Sequence, residues 1–283
     1  MTIKDLHQYS LSSLKSQYPE TEAKNLTYMA LSYIFNFSRY QIHVNFDKIV
    51  DEDQYAKIKN IVDELKQYKP IQYIFKETEF YNCRINVSED VLIPRPETEE
   101  LVDWIIQDHK NEEIEILDIG TGSGCIAIAL AKNLSSSRVT AIDISPNAIE
   151  IAKSNAIANK VEIKFQEVDL LHIQKELQVS KFDIIVSNPP YVRECEKTMM
   201  QPNVLNWEPE ISLFVPDDNP LLFYNFIIQL ATTSLKSKGQ IFLEINENYP
   251  EEVKKVLMKN EFSSIETRKD ISGKFRMIKA SKT

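Results

Sequence analysis

From residue 1 to about 70, apolar positions recur every three or four residues, with no strand-like alternation. Leu6, Tyr9, Leu14 and Tyr18 form one stripe, which predicts a helix ending near Pro19. Leu26, Met29, Ala30, Tyr33 and Ile34 form a second stripe over 22–36. A third helix is predicted over 51–68, with Ile58, Ile61, Val62 and Leu65 on one face. Asp51 stands where a cap belongs, and Pro70 follows the end. Residues 1–70 therefore read as a small helical domain, too short to hold a catalytic α/β sheet.

The pattern changes over 71–93, where Ile74, Phe75, Phe80, Tyr81, Ile85, Val87, Val91 and Leu92 sit in short runs broken by polar residues. One or two β-hairpins are predicted there, forming a linker. From 94 to 283 helix and strand patterns alternate. Leu101, Val102, Trp104 and Ile105 mark a helix, and strands are predicted at 114–118, 138–142, 161–165, 182–187 and 239–245. Helices are predicted at 124–133, 146–158, 219–236 and 250–260, and a last pair of strands at 262–267 and 274–279. Such a series predicts an α/β fold: a mostly parallel sheet with helices on both faces.

Composition narrows this only in places. The net charge of -9 argues against a broad nucleic-acid footprint, which needs a basic face. No apolar run reaches the length of a membrane span. The N-terminal residues lack the apolar core of a secretory signal. Cys83, Cys125 and Cys195 are odd in number and widely spaced, which speaks against a disulfide framework and for a reducing, cytoplasmic setting. His7, His43, His109 and His172 are equally scattered, so no metal site is expected.

The strongest local feature is Asp118-Ile119-Gly120-Thr121-Gly122-Ser123-Gly124, between a strand and a helix. Glycines allow a tight turn and close backbone approach, and the helix start offers N–H groups to a ligand. The spacing is not the dinucleotide fingerprint, because Cys125 stands where its third glycine belongs, and no phosphate-loop lysine follows. Asp118 suits the positive end of a methionine moiety better than a pyrophosphate. Asp143, at the end of the next strand, is placed to accept both hydroxyls of a ribose. A second reading makes Asp143 the cap of the helix that opens at Pro146. Asp169 and Leu170, after a third strand, are candidates for the adenine amino group and ring, or else a surface turn.

The second feature is Ser187-Asn188-Pro189-Pro190-Tyr191, where polarity appears abruptly at the end of an apolar strand. Prolines fix φ and donate no N–H, so the Pro189 carbonyl is held as an acceptor. The Asn188 side-chain oxygen is a second acceptor, and Tyr191 an aromatic face. Two fixed acceptors can hold both hydrogens of a planar NH2 group and return electron density to its nitrogen as a new bond forms. Alignment of that nitrogen against a sulfonium methyl adds a positioning effect worth up to roughly 7–11 kcal/mol in intramolecular reactions. The four residues alone do not separate a side-chain amide from the amino group of a base. A third segment, Pro94-Arg95-Pro96-Glu97-Thr98-Glu99-Glu100, is stiff, with Thr98 or Glu97 as a helix cap; it either lines the acceptor channel or serves as a rigid linker.

At these residues the chain resembles the protein-(glutamine-N5) methyltransferases of peptide-chain release factors, the PrmC or HemK family. The resemblance runs almost the full length, through Pro70–Ile74, Val91–Val102, Asp118–Gly124, Asp143, Ser187–Tyr191, Glu208-Pro209 and Asp270–Arg276. It implies a Rossmann-like class I methyltransferase sheet with an antiparallel strand near the C-terminus. It implies S-adenosylmethionine as cofactor, contacted by Asp118, Gly120, Thr121, Gly122, Ser123, Gly124, Asp143, Asp169, Leu170 and Asn188. Asn188, Pro189 and Tyr191 are the expected catalytic residues; Pro190, Arg95 and Glu97 join them as expected substrate contacts. The implied substrate is the glutamine of a Gly-Gly-Gln loop in a class 1 release factor, gripped by the helical domain. The expected partner is that protein, with no membrane, no stable nucleic-acid binding and a monomeric enzyme. Three features depart from the family pattern. Leu213–Asn219 replaces a glycine-rich stretch. Leu170 or Leu171 stands where an aromatic residue often covers adenine. Glu244-Ile245-Asn246-Glu247 keeps the glutamate without the glycine and glutamine common downstream.

Overall fold

The computed structural model describes residues 1–170 and 182–283. Five helices come first: α1 (Ile3–Leu14), α2 (Glu20–Phe35), α3 (Arg39–Val44), α4 (Glu52–Leu65) and α5 (Ile71–Phe75). The hairpin β1 (Glu77–Phe80) and β2 (Cys83–Asn86) follows, then α6 (Pro96–Asp108), β3 (Glu115–Ile119), α7 (Cys125–Asn133), β4 (Arg138–Asp143), α8 (Pro146–Asn159) and β5 (Ile163–Glu167). The rest runs β6 (Phe182–Ser187), β7 (Val192–Arg193), α9 (Pro202–Leu205), β8 (Phe214–Val215), α10 (Leu222–Ser234), β9 (Leu235–Glu244), α11 (Pro250–Lys259), β10 (Phe262–Lys269) and β11 (Phe275–Lys282).

Two compact units result: Met1–Phe75 with Gln201–Trp207, and Lys76–Met200 with Glu208–Thr283. In the smaller, α4 buries Ile58, Ile61, Val62 and Leu65, and Asp51 accepts from Gln54 N in a capping box. The short α3, missed in the apolar pattern, is started by a Ser38–Gln41 capping box. Ile71–Phe75 is helical rather than part of a hairpin, and 76–93 hold a single hairpin, β1–β2. The excursion 201–207 was also not foreseen; Trp207 Nε1–H donates to the Gln67 carbonyl at 3.0 Å, and the Lys69 ammonium lies 4.8 Å from the centre of the Trp207 ring.

The larger unit is built on seven strands in the order β10-β11-β9-β6-β3-β4-β5. The pairs β9–β6, β6–β3, β3–β4 and β4–β5 are parallel; β11 is antiparallel to both neighbours. Ile116, Leu117, Ile184 and Ile185 are fully buried, as the sheet centre requires. The last helix before β9 is shorter than predicted, because Leu235 is already extended and pairs with Phe182. Among the described residues no helix is long and apolar enough to cross a membrane.

One buried side chain ties the hairpin to the sheet domain. Asn155 of α8 is fully buried; its oxygen accepts from Asn86 N at 2.8 Å, and its Nδ2 donates to the carbonyls of Asn86 and Ser123, both at 2.9 Å. Asn155→Ala would leave three backbone groups without this partner, and we expect a loss of about 3 kcal/mol. Urea unfolding measures it; a loss under about 1 kcal/mol would mean that water replaces the amide.

Candidate functional site

β3 and β6 are neighbours, yet the chain winds from β3 toward β4 and from β6 toward β9, on opposite sides. A crevice opens at the carboxyl ends of strands where winding reverses. Here it is a cleft with about 240 Å³ of water-accessible space, walled by the segments that follow β3, β4, β5 and β6.

After β3, Gly120, Gly122 and Gly124 all have positive φ, at 70°, 54° and 81°. A Cβ on Gly120 or Gly122 would meet nothing within 4 Å, so their bare backbone borders open space. A Cβ on Gly124 would lie 3.0 Å from Ala152 Cβ, so this glycine serves the packing of α7 on α8. The loop does not offer its first N–H groups outward. Gly120 N and Thr121 N both donate to the Ile142 carbonyl, and Gly122 N donates to Asp143 Oδ2 at 2.8 Å. Gly120, Thr121, Gly122 and Ser123 line the cleft.

Asp118 is fully buried and is not on the cleft wall. The Thr121 hydroxyl donates to its Oδ2 at 2.6 Å, so this oxygen braces the loop from behind, while Oδ1 has no hydrogen-bond partner among the described residues. Burial pushes it up to about 7, against the pull of the Thr121 bond. Asp143 does line the cleft. Its Oδ1 accepts from Ser145 N at 2.9 Å, and the cap of α8 is Ser145 itself, through Ala148 N. Each Asp143 oxygen keeps a lone pair beyond these bonds. Asp169 and Leu170 also line the cleft; Leu171 lies outside the described residues.

Across the cleft stand Asn188, Pro189 and Pro190. Asn188 Nδ2–H donates to Thr98 Oγ1 at 3.2 Å, and the Thr98 hydroxyl donates to Glu244 Oε2 at 2.6 Å. Tyr191 is not among the lining residues; its hydroxyl donates to Glu244 Oε1 at 2.8 Å, and its carbonyl accepts from Asn246 Nδ2 at 3.0 Å. Tyr191 is partly buried and packs against the core of the sheet domain. Burial raises the Glu244 carboxyl above its usual range, opposed by its hydroxyl donors and by Arg276. Arg276 also reaches the Tyr191 hydroxyl at 3.5 Å and Asp270 at 3.2 Å.

Arg95 lines the cleft, but its Nη2 donates to both oxygens of the buried Glu208, at 2.7 and 2.8 Å. Glu97 is half-buried and not on the wall. Neither Thr98 nor Glu97 caps α6: its N-cap is Arg95, without a side-chain bond, and Pro96 opens the helix. Thr98 and Glu244 had not been read as site residues. The Glu244 signal was present, since a carboxylate ending the apolar run Ile241-Phe242-Leu243 repeats the pattern of Asp143.

Comparison with known proteins identifies the family of the chain. The Methyltransferase small domain model matches residues 98–205, and the PrmC N-terminal domain model matches 5–75. A release factor glutamine methyltransferase of Flavobacterium psychrophilum is 44% identical over 99% of both chains. One from Bacteroides thetaiotaomicron is 40% identical over 97% of this chain and 98% of its own. Among solved structures, a methyltransferase from Pyrococcus furiosus superposes with TM-score 0.54 at 17% identity, over 79% of this chain and 98% of that one. The hMettl16 catalytic domain does so with TM-score 0.55 at 18% identity, over 71% and 76%. These two likenesses show the fold.

Asp118 yields a pH prediction. Its proton is held more tightly in the fold, at about 7 against an ordinary 3.8. The stability so gained is complete below about pH 4 and is lost as pH rises through about 7. Asp118→Asn keeps an acceptor for Thr121 and cannot ionise. Its stability relative to the parent chain should improve steadily across that window and then level off. Thermal unfolding of both proteins at several pH values tests this; a difference independent of pH would show that the carboxyl titrates as in an unfolded chain.

Proposed function

The chain belongs to the release factor glutamine methyltransferase family, and from that premise we propose that it methylates the glutamine side-chain amide in the Gly-Gly-Gln loop of a class 1 peptide-chain release factor, using S-adenosylmethionine. The observation that carries this reading is one cleft with a glycine loop and Asp143 on one side and Asn188, Pro189 and Pro190 on the other. The residues suit the cofactor: the loop backbone is open over Gly120 and Gly122, and Asp143 stands at a strand end with lone pairs left for a ribose diol. Ile144, Leu170 and Phe223 give apolar surface for a flat ring. S-adenosylmethionine supplies an electrophilic methyl group on a cationic sulfur.

The chain's own part is to bind and orient the amide. Asn188 Oδ1 and the Pro189 carbonyl accept the two amide hydrogens, which fixes the nitrogen and enriches it as the bond to carbon forms. No strong base is required, since the nitrogen sheds a proton readily once it becomes cationic. Arg95, held by Glu208, is assigned to shaping the acceptor side. The helical unit Met1–Phe75 is assigned to gripping the release factor.

Asn188→Ala should cut methyl transfer by roughly 100-fold while cofactor affinity stays nearly constant. Asp143→Ala should instead weaken cofactor binding by about 10-fold or more. Calorimetry and a transfer assay separate the two, with release factor, a Gly-Gly-Gln peptide and nucleic acid as acceptors and mass spectrometry as readout. Methylation of nucleic acid but not release factor would overturn the substrate assignment.

A further inference from the structure

An asparagine amide accepts through one end and donates through the other. Nothing in Asn188 itself decides which end meets the substrate. We propose that Thr98 and Glu244 are positioning residues whose one-way hydrogen-bond chain keeps the Asn188 side-chain oxygen turned toward the reacting nitrogen. The inference rests on the reading of Asn188 as an acceptor for the amide.

The direction of the chain follows from proton counting. In the structure Glu244 accepts at both of its oxygens, from the Thr98 and Tyr191 hydroxyls, and these two donors and Arg276 favour its ionised, acceptor-only form against the burial that opposes it. Thr98 has a single hydroxyl hydrogen, and its 2.6 Å contact with Glu244 Oε2 uses it. Thr98 Oγ1 therefore has only lone pairs to offer Asn188, at 3.2 Å, so the Asn188 nitrogen must face it. The amide oxygen is the end that remains. Tyr191 donates to the other Glu244 oxygen and enforces the same polarity.

The supports are rigid and dry. Thr98 lies on α6 and Glu244 ends β9, and they are 2% and 1% exposed, so water does not compete for these bonds. The charged groups around Glu244 are Arg276 and Glu97, and the titratable neutral ones are the Tyr191 and Tyr224 phenols and the Cys125 thiol.

The test uses the full chain with a release factor as acceptor and four variants: Thr98→Val, Thr98→Ser, Glu244→Gln and Asn188→Ala. Valine matches threonine in shape but lacks the hydroxyl. Thr98→Val should lower kcat by about 10- to 100-fold, with cofactor Kd within about 2-fold of the parent. Thr98→Ser should restore most of the loss. Glu244→Gln can donate to Thr98 and reverse the chain, and should lower kcat to a similar degree. A purely structural role predicts that melting temperature and cofactor affinity fall together with kcat, or that serine fails like valine; either result overturns the proposal. Retained kcat in Thr98→Val beside a strong loss in Asn188→Ala would defeat the positioning role alone. Retained kcat in Asn188→Ala would defeat the acceptor reading on which it rests.

Discussion

The reversal of winding between β3 and β6 is the constraint on which the site depends. Two parallel neighbours whose following segments leave in opposite directions cannot close over their own carboxyl ends. The gap collects the segments after four strands, so residues far apart in sequence become opposing walls. Each wall then meets a different physical demand. On the β3 side the backbone must approach a ligand closely, and positive φ at Gly120 and Gly122 with nothing over them meets it. On the β6 side two acceptors must be immobile; the consecutive prolines meet this for the Pro189 carbonyl, and the Asn188 side chain is held separately through Thr98.

Behind both walls sits a buried carboxylate. Asp118 lies under the glycine loop and Glu244 under the Asn188 turn, each essentially without solvent exposure. Burying a charge is costly unless its oxygens find donors. The fold offers Thr98 and Tyr191 to the two oxygens of Glu244, but Thr121 to Oδ2 alone of Asp118, whose carboxyl is accordingly pushed up to about 7. The return is orientation. A carboxylate that cannot donate imposes polarity on every hydroxyl that binds it, and thereby on the residue beyond.

What the sequence made legible and what it hid divide along this line. Asp118, Gly120 to Gly124, Asp143 and Asn188 each lie at the end of an apolar strand run, so local pattern alone located them. Their mutual arrangement depends on the strand order, which the alternation of elements leaves open. Thr98 looked like a helix cap because its partner, Glu244, is 146 residues away and no local spacing connects them. Arg95 lines the cleft, and what holds it could not be read locally either: Glu208 is 113 residues distant. Tyr191 showed its ring in the sequence but not the direction of its hydroxyl. The excursion 201–207 into the smaller unit had no periodicity to announce it.

The worth of fixing an amide can be bounded. With its nitrogen on Thr98 Oγ1, Asn188 satisfies one donor. Turned over, it would set its oxygen against an oxygen whose hydrogen is already committed to Glu244. A hydrogen bond lost inside a protein, with the polar groups left unpaired, costs about 1–3 kcal/mol. That holds the inverted amide to between roughly one part in five and one part in 160, before any substrate binds. An inverted amide would present N–H to N–H and repel the nitrogen that the Pro189 carbonyl attracts. The two acceptors therefore act as a pair only when the first is oriented. Pro189 gets its orientation from covalent geometry; Asn188, which has a free rotor, gets it from a charge buried on another strand.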